Sequence, residues 1–334
     1  MLDLKRIFPW EKPLFRRGCV REGRITAVTA VCFIFTIFLV FHGIGSAAES
    51  SAAQFLSLGF GARGLGMGEA FVAVADDVSS VYYNPAGLGK GGNELLVSHS
   101  WHIQDTGLTQ LAYARGNAGL SLTYFSAGSL EGRDEVGNLN SDFTAEDFAF
   151  SGGYAVKTGR LSAGATLKGV RQRIKASVAS AVCADAGLLY GFGMMPVTLG
   201  LSVSNLGTRV KFKDEGFPLP VIYRAGVAVR TGAFFPAVVA AEADFPNDSS
   251  AVLRIGAEYT GFKIIALRAG YRTSPSSQRN AILGKGFGGS SGLAELYGFF
   301  MGLGFNLKPV KLDYALLPYG ELGSSHRFSL TFAF

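Results

Sequence analysis

Cysteine is close to absent. Only Cys19, Cys32 and Cys183 occur in 334 residues, too few for a disulfide framework or a thiolate metal centre. Charge is also scarce: Asp, Glu, Lys and Arg make up 17% of the chain, where soluble domains carry about a quarter. Long apolar runs are missing too, apart from Ile25 to Phe41. A polytopic helical membrane protein needs repeated runs of about 20 apolar residues, so that class is excluded despite a mean hydropathy of +0.27. Proline is sparse at 11 residues, whereas glycine reaches 45 without the every-third spacing of collagen.

The single apolar run belongs to a targeting signal. Seven basic residues and three acids precede it, and Gly45-Ser46-Ala47-Ala48 follows it. Small residues at these positions suit signal-peptidase cleavage after Ala47 or Ala48. The competing reading is an uncleaved anchor, because the run exceeds a usual signal core. The leader holds four of the six net positive charges, so the basic balance says nothing in favour of nucleic acid. Cleavage leaves Cys183 alone, with no intramolecular disulfide to form.

Beyond residue 92 the period is two. Val197, Leu199, Leu201 and Val203 interleave with Thr198, Gly200, Ser202 and Ser204, and Phe328, Leu330, Phe332 and Phe334 interleave with Ser329, Thr331 and Ala333. A strand places each such set on one face, whereas a helix would scatter it. About fourteen segments of this kind are counted, at 93–102, 107–115, 117–126, 146–156, 160–173, 178–191, 196–205, 219–231, 235–244, 251–260, 262–272, 296–306, 309–317 and 324–334. An even number suits a single-chain transmembrane antiparallel β-barrel, with short turns on the periplasmic side and longer loops outside. The outer loops are expected at 127–145, 206–218 and 273–295.

A soluble sandwich would show Lys, Glu and Thr on the second face. Here that face is mostly Gly, Ser and Ala, and the sparse charges gather on it: Arg224, Arg230, Glu242, Asp244, Arg254, Glu258, Arg268 and Asp313. Mixed charges on neighbouring strands suit a polar lumen, where they pair. Trp101, Tyr124, Tyr154, Tyr190, Tyr297 and Tyr319 lie near strand ends, the place of the aromatic girdles.

Residues 49–92 differ from the barrel at 93–334 and from the leader at 1–48: they are glycine-rich and do not alternate. Gly59, Gly61, Arg63, Gly64, Gly66 and Gly68 form a cluster, followed by Asp76-Asp77 and by Asn84-Pro85-Ala86-Gly87-Leu88. Gly59 to Gly64 spells G-x-G-x-x-G, yet no strand precedes it and no βαβ pattern follows, which excludes a dinucleotide site. Glycine there permits positive φ and close backbone approach in a crowded interior. Gly284 to Gly292 lacks phosphate-loop spacing and reads as an outer loop. Asp76 and Asp77 could bind a cation or pair with Arg63; pairing is the favoured reading, since buried charges are usually paired. Of the histidines, His99 shares the apolar face with Trp101, His102 takes the opposite face, and His326 sits beside Ser324 and Ser325. No catalytic or metal-binding set assembles, and no cofactor is called for.

The 55–88 stretch resembles the N-terminal region of the FadL superfamily of outer-membrane transport proteins, and more closely its PorV/PorQ branch. Asn205-Leu206-Gly207, Phe217-Pro218-Leu219-Pro220, Arg268-Ala269-Gly270-Tyr271, Leu312-Asp313-Tyr314-Ala315 and His326-Arg327-Phe328-Ser329-Leu330 are similar to the same branch. The resemblance implies a fourteen-stranded barrel with the N-terminal segment folded inside as a plug, and a ligand gate among the 59–86 residues. It implies a hydrophobic small molecule bound or passed through the lumen or, alternatively, a docking role for protein secretion of type IX character. It also implies that Phe328, Leu330, Phe332 and Phe334 serve as the signal read by the outer-membrane assembly machinery. The expected surroundings are outer-membrane lipid. The mature chain, about 286 residues after cleavage, is short for a fatty-acid transporter of this superfamily.

Overall fold

The computed structural model describes residues 50–334 apart from 102–105, 135, 194, 213–214, 233, 274–297 and 320–322. The expected leader, His102, Tyr297 and nearly all of the 273–295 loop with its glycine run lie outside the described residues.

Alternation over the second part of the chain yields strands in the following order: β1 (Gly92–Trp101), β2 (Gly107–Gly116), β3 (Ala118–Arg133), β4 (Leu139–Thr158), β5 (Leu161–Ile174), β6 (Ser177–Gly191), β7 (Val197–Gly207), β8 (Val210–Phe212), β9 (Glu215–Phe217), β10 (Ile222–Arg230), β11 (Ala237–Pro246), β12 (Val252–Phe262), β13 (Ile265–Arg272), β14 (Phe299–Leu307), β15 (Val310–Pro318) and β16 (Ser324–Ala333). All but β8 and β9 form one closed antiparallel barrel of fourteen strands, in which β16 returns to pair with β1 and β10 pairs with β7. Closure leaves no open sheet edge.

The two faces separate as the period of two dictates. Leu120, Leu167, Leu201, Ile255 and Phe328 stand exposed on the outer wall, between 47% and 64% of their area. Ser121, Thr166, Ser202, Glu258 and Arg327 face inward and are buried. An apolar exterior around a polar interior is the arrangement that lipid requires. No helix among the described residues is long and apolar enough to cross a membrane.

The two rims are unequal. Asn117 alone joins β2 to β3, and residues 263–264 and 308–309 make two further tight turns on the rim that carries the chain's C-terminus. The opposite rim carries the longer connections, including 208–221, within which β8 pairs with β9 as a small hairpin.

The 127–145 stretch is no loop. β3 and β4 continue their pairing through Ser129↔Thr144 to Arg133↔Leu139, with register shifts between Ser126 and Ser129 and between Leu130 and Gly132. The apolar alternation fades there because both faces of a strand above the lipid meet water, while the backbone ladder persists. Tyr319 is a second correction. It follows the end of β15 and packs inward beside Ala62, Leu65 and Leu317, away from any outer girdle. Phe300, which breaks the alternation of β14, also turns inward, with the Arg272 guanidinium 5.3 Å from its ring centroid.

Candidate functional site

Residues 51–91 contain only short helical pieces: a 3-10 turn at Gln54–Ser57, α1 (Gly61–Gly66), α2 (Ser80–Tyr83) and a 3-10 turn at Pro85–Lys90. Glycine and small residues give too little propensity for long helices, so the segment holds its shape through hydrogen bonds to inward-facing groups on the wall. It starts at the long-loop rim, where the Ala52 N–H donates to Pro218 O (2.9 Å) and Gln54 Nε2 donates to an Asp248 carboxylate oxygen (2.7 Å). α1 then meets the β2 and β16 side: the Gly61 N–H donates to Gln110 Oε1 (3.0 Å) and the Ala62 N–H to Ser329 Oγ (2.7 Å). Across the interior the Val72 N–H donates to Glu242 Oε2 on β11 (2.7 Å). The segment thus touches strands on several sides of the barrel.

Asn84 is fully buried and acts as a three-way tie. Its Nδ2 donates to Val72 O (2.8 Å) and to Leu188 O on β6 (3.1 Å), while its Oδ1 accepts from the Ala86 N–H (3.1 Å). Ser162 Oγ donates to Ala86 O at 2.6 Å. Pro85 opens the final 3-10 turn, where its lack of an N–H costs nothing. Gly68 sits at φ +64°, and a side chain at the wall residue Gly270 would overlap its backbone. Here glycine serves both its conformational freedom and the close approach of two backbones.

All eight expected lumen charges fall into two networks. In the first, Arg63 pairs with Asp76 (2.6 Å), Asp77 (2.7 Å) and Glu258 (2.7 Å); Glu258 continues to Arg268 and Arg268 to Asp313, each at 2.7 Å, while Arg230 holds Asp76 at 2.9 Å. In the second, Arg254 bridges Asp244 (2.8 Å) and Glu69, with Arg272 3.8 Å from Glu69. Arg224 lies 3.8 Å from both Glu242 and Asp244 and donates to Ser204 Oγ at 2.7 Å. Charges removed from water need such partners, and deleting one partner leaves an uncompensated ion.

Electrostatics follow on the inner segment itself. Burial works to raise the Asp76 carboxyl, but Arg63 first, then Lys90 and Arg230, hold it well below the usual carboxylate range. Burial outweighs Asp76 at Lys90 and brings its ammonium down to about 8; that group donates to Val74 O at 2.7 Å.

Two features flank this segment, a cavity and a packed apolar cluster. A polar cavity of about 260 Å³ lies against Arg63, Asp76, Asp77, Glu258, Lys311 and Asp313. The second is apolar and occupies the loop-rim half of the β4–β6 wall. Ala149, Val170, Ala179, Ala181 and Cys183 face inward there, packed against Phe55 and Leu56 of the inner segment and against Val210 and Leu219 of the 208–221 connection. Beside the apolar cluster, a gap of about 20 Å³ is lined by Phe55, Leu56, Tyr82, Ser121, Thr123 and Lys168, among others.

Lys168, Asp185 and Glu69 were missed by the reading of the sequence. Lys168 and Asp185 form a buried pair at 2.8 Å, and Lys168 Nζ also donates to Asn205 Oδ1 at 2.7 Å. Their signal was present: each sits on the inward parity of its strand, one residue from an outward apolar or small neighbour. His99 takes the outer face, edge-on to Trp101 at 4.7 Å between centroids, and His326 is bound to Tyr314 and Ser324 on the same face. Phe328, Leu330 and Phe332 are exposed along the outside of β16, and Phe334, just past its end, is exposed as well. Among the described residues no cluster of three or more His, Cys, Asp or Glu side chains could hold a metal ion.

No family model matches the chain, and a comparison with curated proteins finds no match. Solved structures do match. The deltaS2S3 mutant of the monoaromatic hydrocarbon channel TodX is 14% identical, with a TM-score of 0.51, covering 83% of this chain and 99% of that one. The toluene transporter TbuX of Ralstonia pickettii is 13% identical at a TM-score of 0.51, covering 83% and 98%. The monoaromatic hydrocarbon channel CymD gives 13%, 0.51, 83% and 98%. At this identity the likeness is one of fold.

Proposed function

We propose that this chain is a non-enzymatic outer-membrane channel of the FadL superfamily, exported through a cleaved leader, that binds and passes small hydrophobic molecules. The observation that carries the reading is the apolar cluster at the loop rim, where small inward side chains of β4–β6 pack against Phe55 and Leu56 of the inner segment and against Val210 and Leu219 above. Apolar solutes leave water for such a lining at about 25 cal/mol per Å². The charged layer beneath offers them nothing, so the 51–91 segment acts as the plug of the lumen, with the 59–86 residues as its gate. The fold shared with monoaromatic hydrocarbon channels supports solutes of that size and class.

The PorV/PorQ resemblance of the 59–68 and 84–88 motifs supports a second reading, a docking component for protein secretion. The observation in its favour is the tall β3–β4 hairpin, which presents Leu130, Val136 and Leu139 at 36%, 83% and 71% exposure. Native mass spectrometry of the barrel, extracted from its own membrane in mild detergent, separates the two. A stoichiometric apolar small molecule supports the channel; a co-purifying protein with no small molecule supports docking. The same spectrum tests the leader: a mature mass starting after Ala47 or Ala48 is expected, and an intact leader refutes cleavage.

A further inference from the structure

On β1 and on β13 to β16 the outer wall is aromatic at its long-loop rim. Trp101 ends β1 and packs edge-on to Phe328, Tyr314 is bound to His326, and Tyr271 is tilted against Phe299. On β5 the same position is taken by guanidinium groups. Leu161, Ala163, Ala165, Leu167 and Gly169 form the outward row of that strand, and Arg171 and Arg173 continue it. From Leu161 to Arg171 the strand runs ten residues, about 25 Å along the membrane normal at about 3.3 Å per residue and a tilt of about 40°. An apolar band is about 25 Å tall. Arg171 therefore stands at the upper edge of the lipid, with Arg173 about 7 Å further along the strand.

We infer that Arg171, Arg173 and Lys175 form an external binding site for phosphate groups on the lipid headgroups of the facing leaflet. The inference rests on the outer-membrane reading above. Arg171 lies opposite Phe148 on β4 and Ser180 on β6, and among the described residues no carboxylate pairs with it. Arg173 is half exposed and holds Glu146 at 2.9 Å; Glu146 in turn accepts from Tyr124 Oη at 3.0 Å. This pairing fixes the Arg173 fork beside Tyr124 while leaving part of it exposed. Lys175 opens the turn to β6, its N–H donating to Thr144 O at 3.1 Å. Two forks and an ammonium suit a phosphomonoester, because guanidinium groups bind phosphate bidentately and ammonium binds it as a point charge. Phe148 and Phe150, exposed on β4, offer apolar surface for the acyl chains. Snorkelling alone explains one basic residue at an interface. It does not explain why three gather at the end of one strand.

The test uses the folded mature barrel in a neutral detergent, with a bisphosphorylated diglucosamine lipid as probe and its dephosphorylated counterpart as control. The wild type should retain the phosphorylated lipid about tenfold more tightly, a factor typical of one good charge-assisted contact. Arg171→Gln, which breaks no ion pair, and the triple Arg171→Gln/Arg173→Gln/Lys175→Gln should both fall toward the control, and Arg115→Gln at the opposite rim should not. Equal retention of the two lipids, an unaffected Arg171→Gln barrel, or full displacement by millimolar inorganic phosphate would overturn the site. Binding of a monoaromatic probe, measured on the same samples, reports the channel reading separately and should be unchanged by these substitutions.

Discussion

Asn84 shows how much one side chain carries. It ties the inner segment to itself through Val72 and to the wall through Leu188. Asn84→Ala leaves the buried Val72 carbonyl short of a donor, at about 1 to 3 kcal/mol, and removes the tie to Leu188 O on the wall. The substituted barrel should pass more current than the wild type in planar bilayers, and unchanged conductance would remove Asn84 from the anchor. Asp76 sets an acid limit. Its carboxyl is held low in the folded barrel by Arg63, Lys90 and Arg230, so the stability it contributes is fully present above about pH 4 and is lost as pH falls further. Thermal unfolding in detergent should show a midpoint that drops below pH 4. In Asp76→Asn that drop should be smaller, and identical acid profiles would contradict the assignment.

At the level of elements, the inner segment is shaped by the wall more than by its own propensities. A bulky residue at Gly270 would displace the Gly68 backbone. Gly270→Val should therefore leave a heat-modifiable barrel whose 51–91 segment becomes open to protease. A protected segment in that variant would show the approach to be slack. The 208–221 connection covers the apolar cluster, with its own Val210 fully buried against the wall. Cys183 is a built-in reporter there, buried and the only cysteine after the leader. It should resist maleimide in the wild type and react in Val210→Asp; equal labelling would mean that the hairpin covers nothing.

The strands were legible in the sequence because one face met lipid and the other did not. Where β3 and β4 rise above the lipid, both faces are wet and the pattern disappears, so their continuation read as a loop. The Arg63–Asp76–Asp77 pairing was legible from the need to neutralise buried charge. The link to Glu258 was not, since it joins residues about two hundred positions apart through barrel closure. Tyr319 was misplaced for a related reason: strand ends do not say whether the chain folds over the rim.

Across the whole molecule the lumen is divided by wall. β10 to β15 carry both arginine–carboxylate networks, and β4 to β6 carry the small apolar lining with a single buried Lys168–Asp185 pair. The inner segment lies between them, ion-paired to the charged wall and packed by apolar side chains and close backbone contacts against the other. A hydrophobic solute would therefore follow the β4–β6 wall, where displacing Phe55 and Leu56 costs apolar packing and breaks no ion pair. The most direct test is equilibrium binding of a radiolabelled monoaromatic hydrocarbon to the folded barrel, compared with an Ala181→Trp barrel in which the indole takes the space a solute would gain by displacing Phe55 and Leu56. Saturable binding near one molecule per barrel, lost in Ala181→Trp, is the expected result. Absence of saturable binding, or binding that Ala181→Trp leaves untouched, would contradict the account.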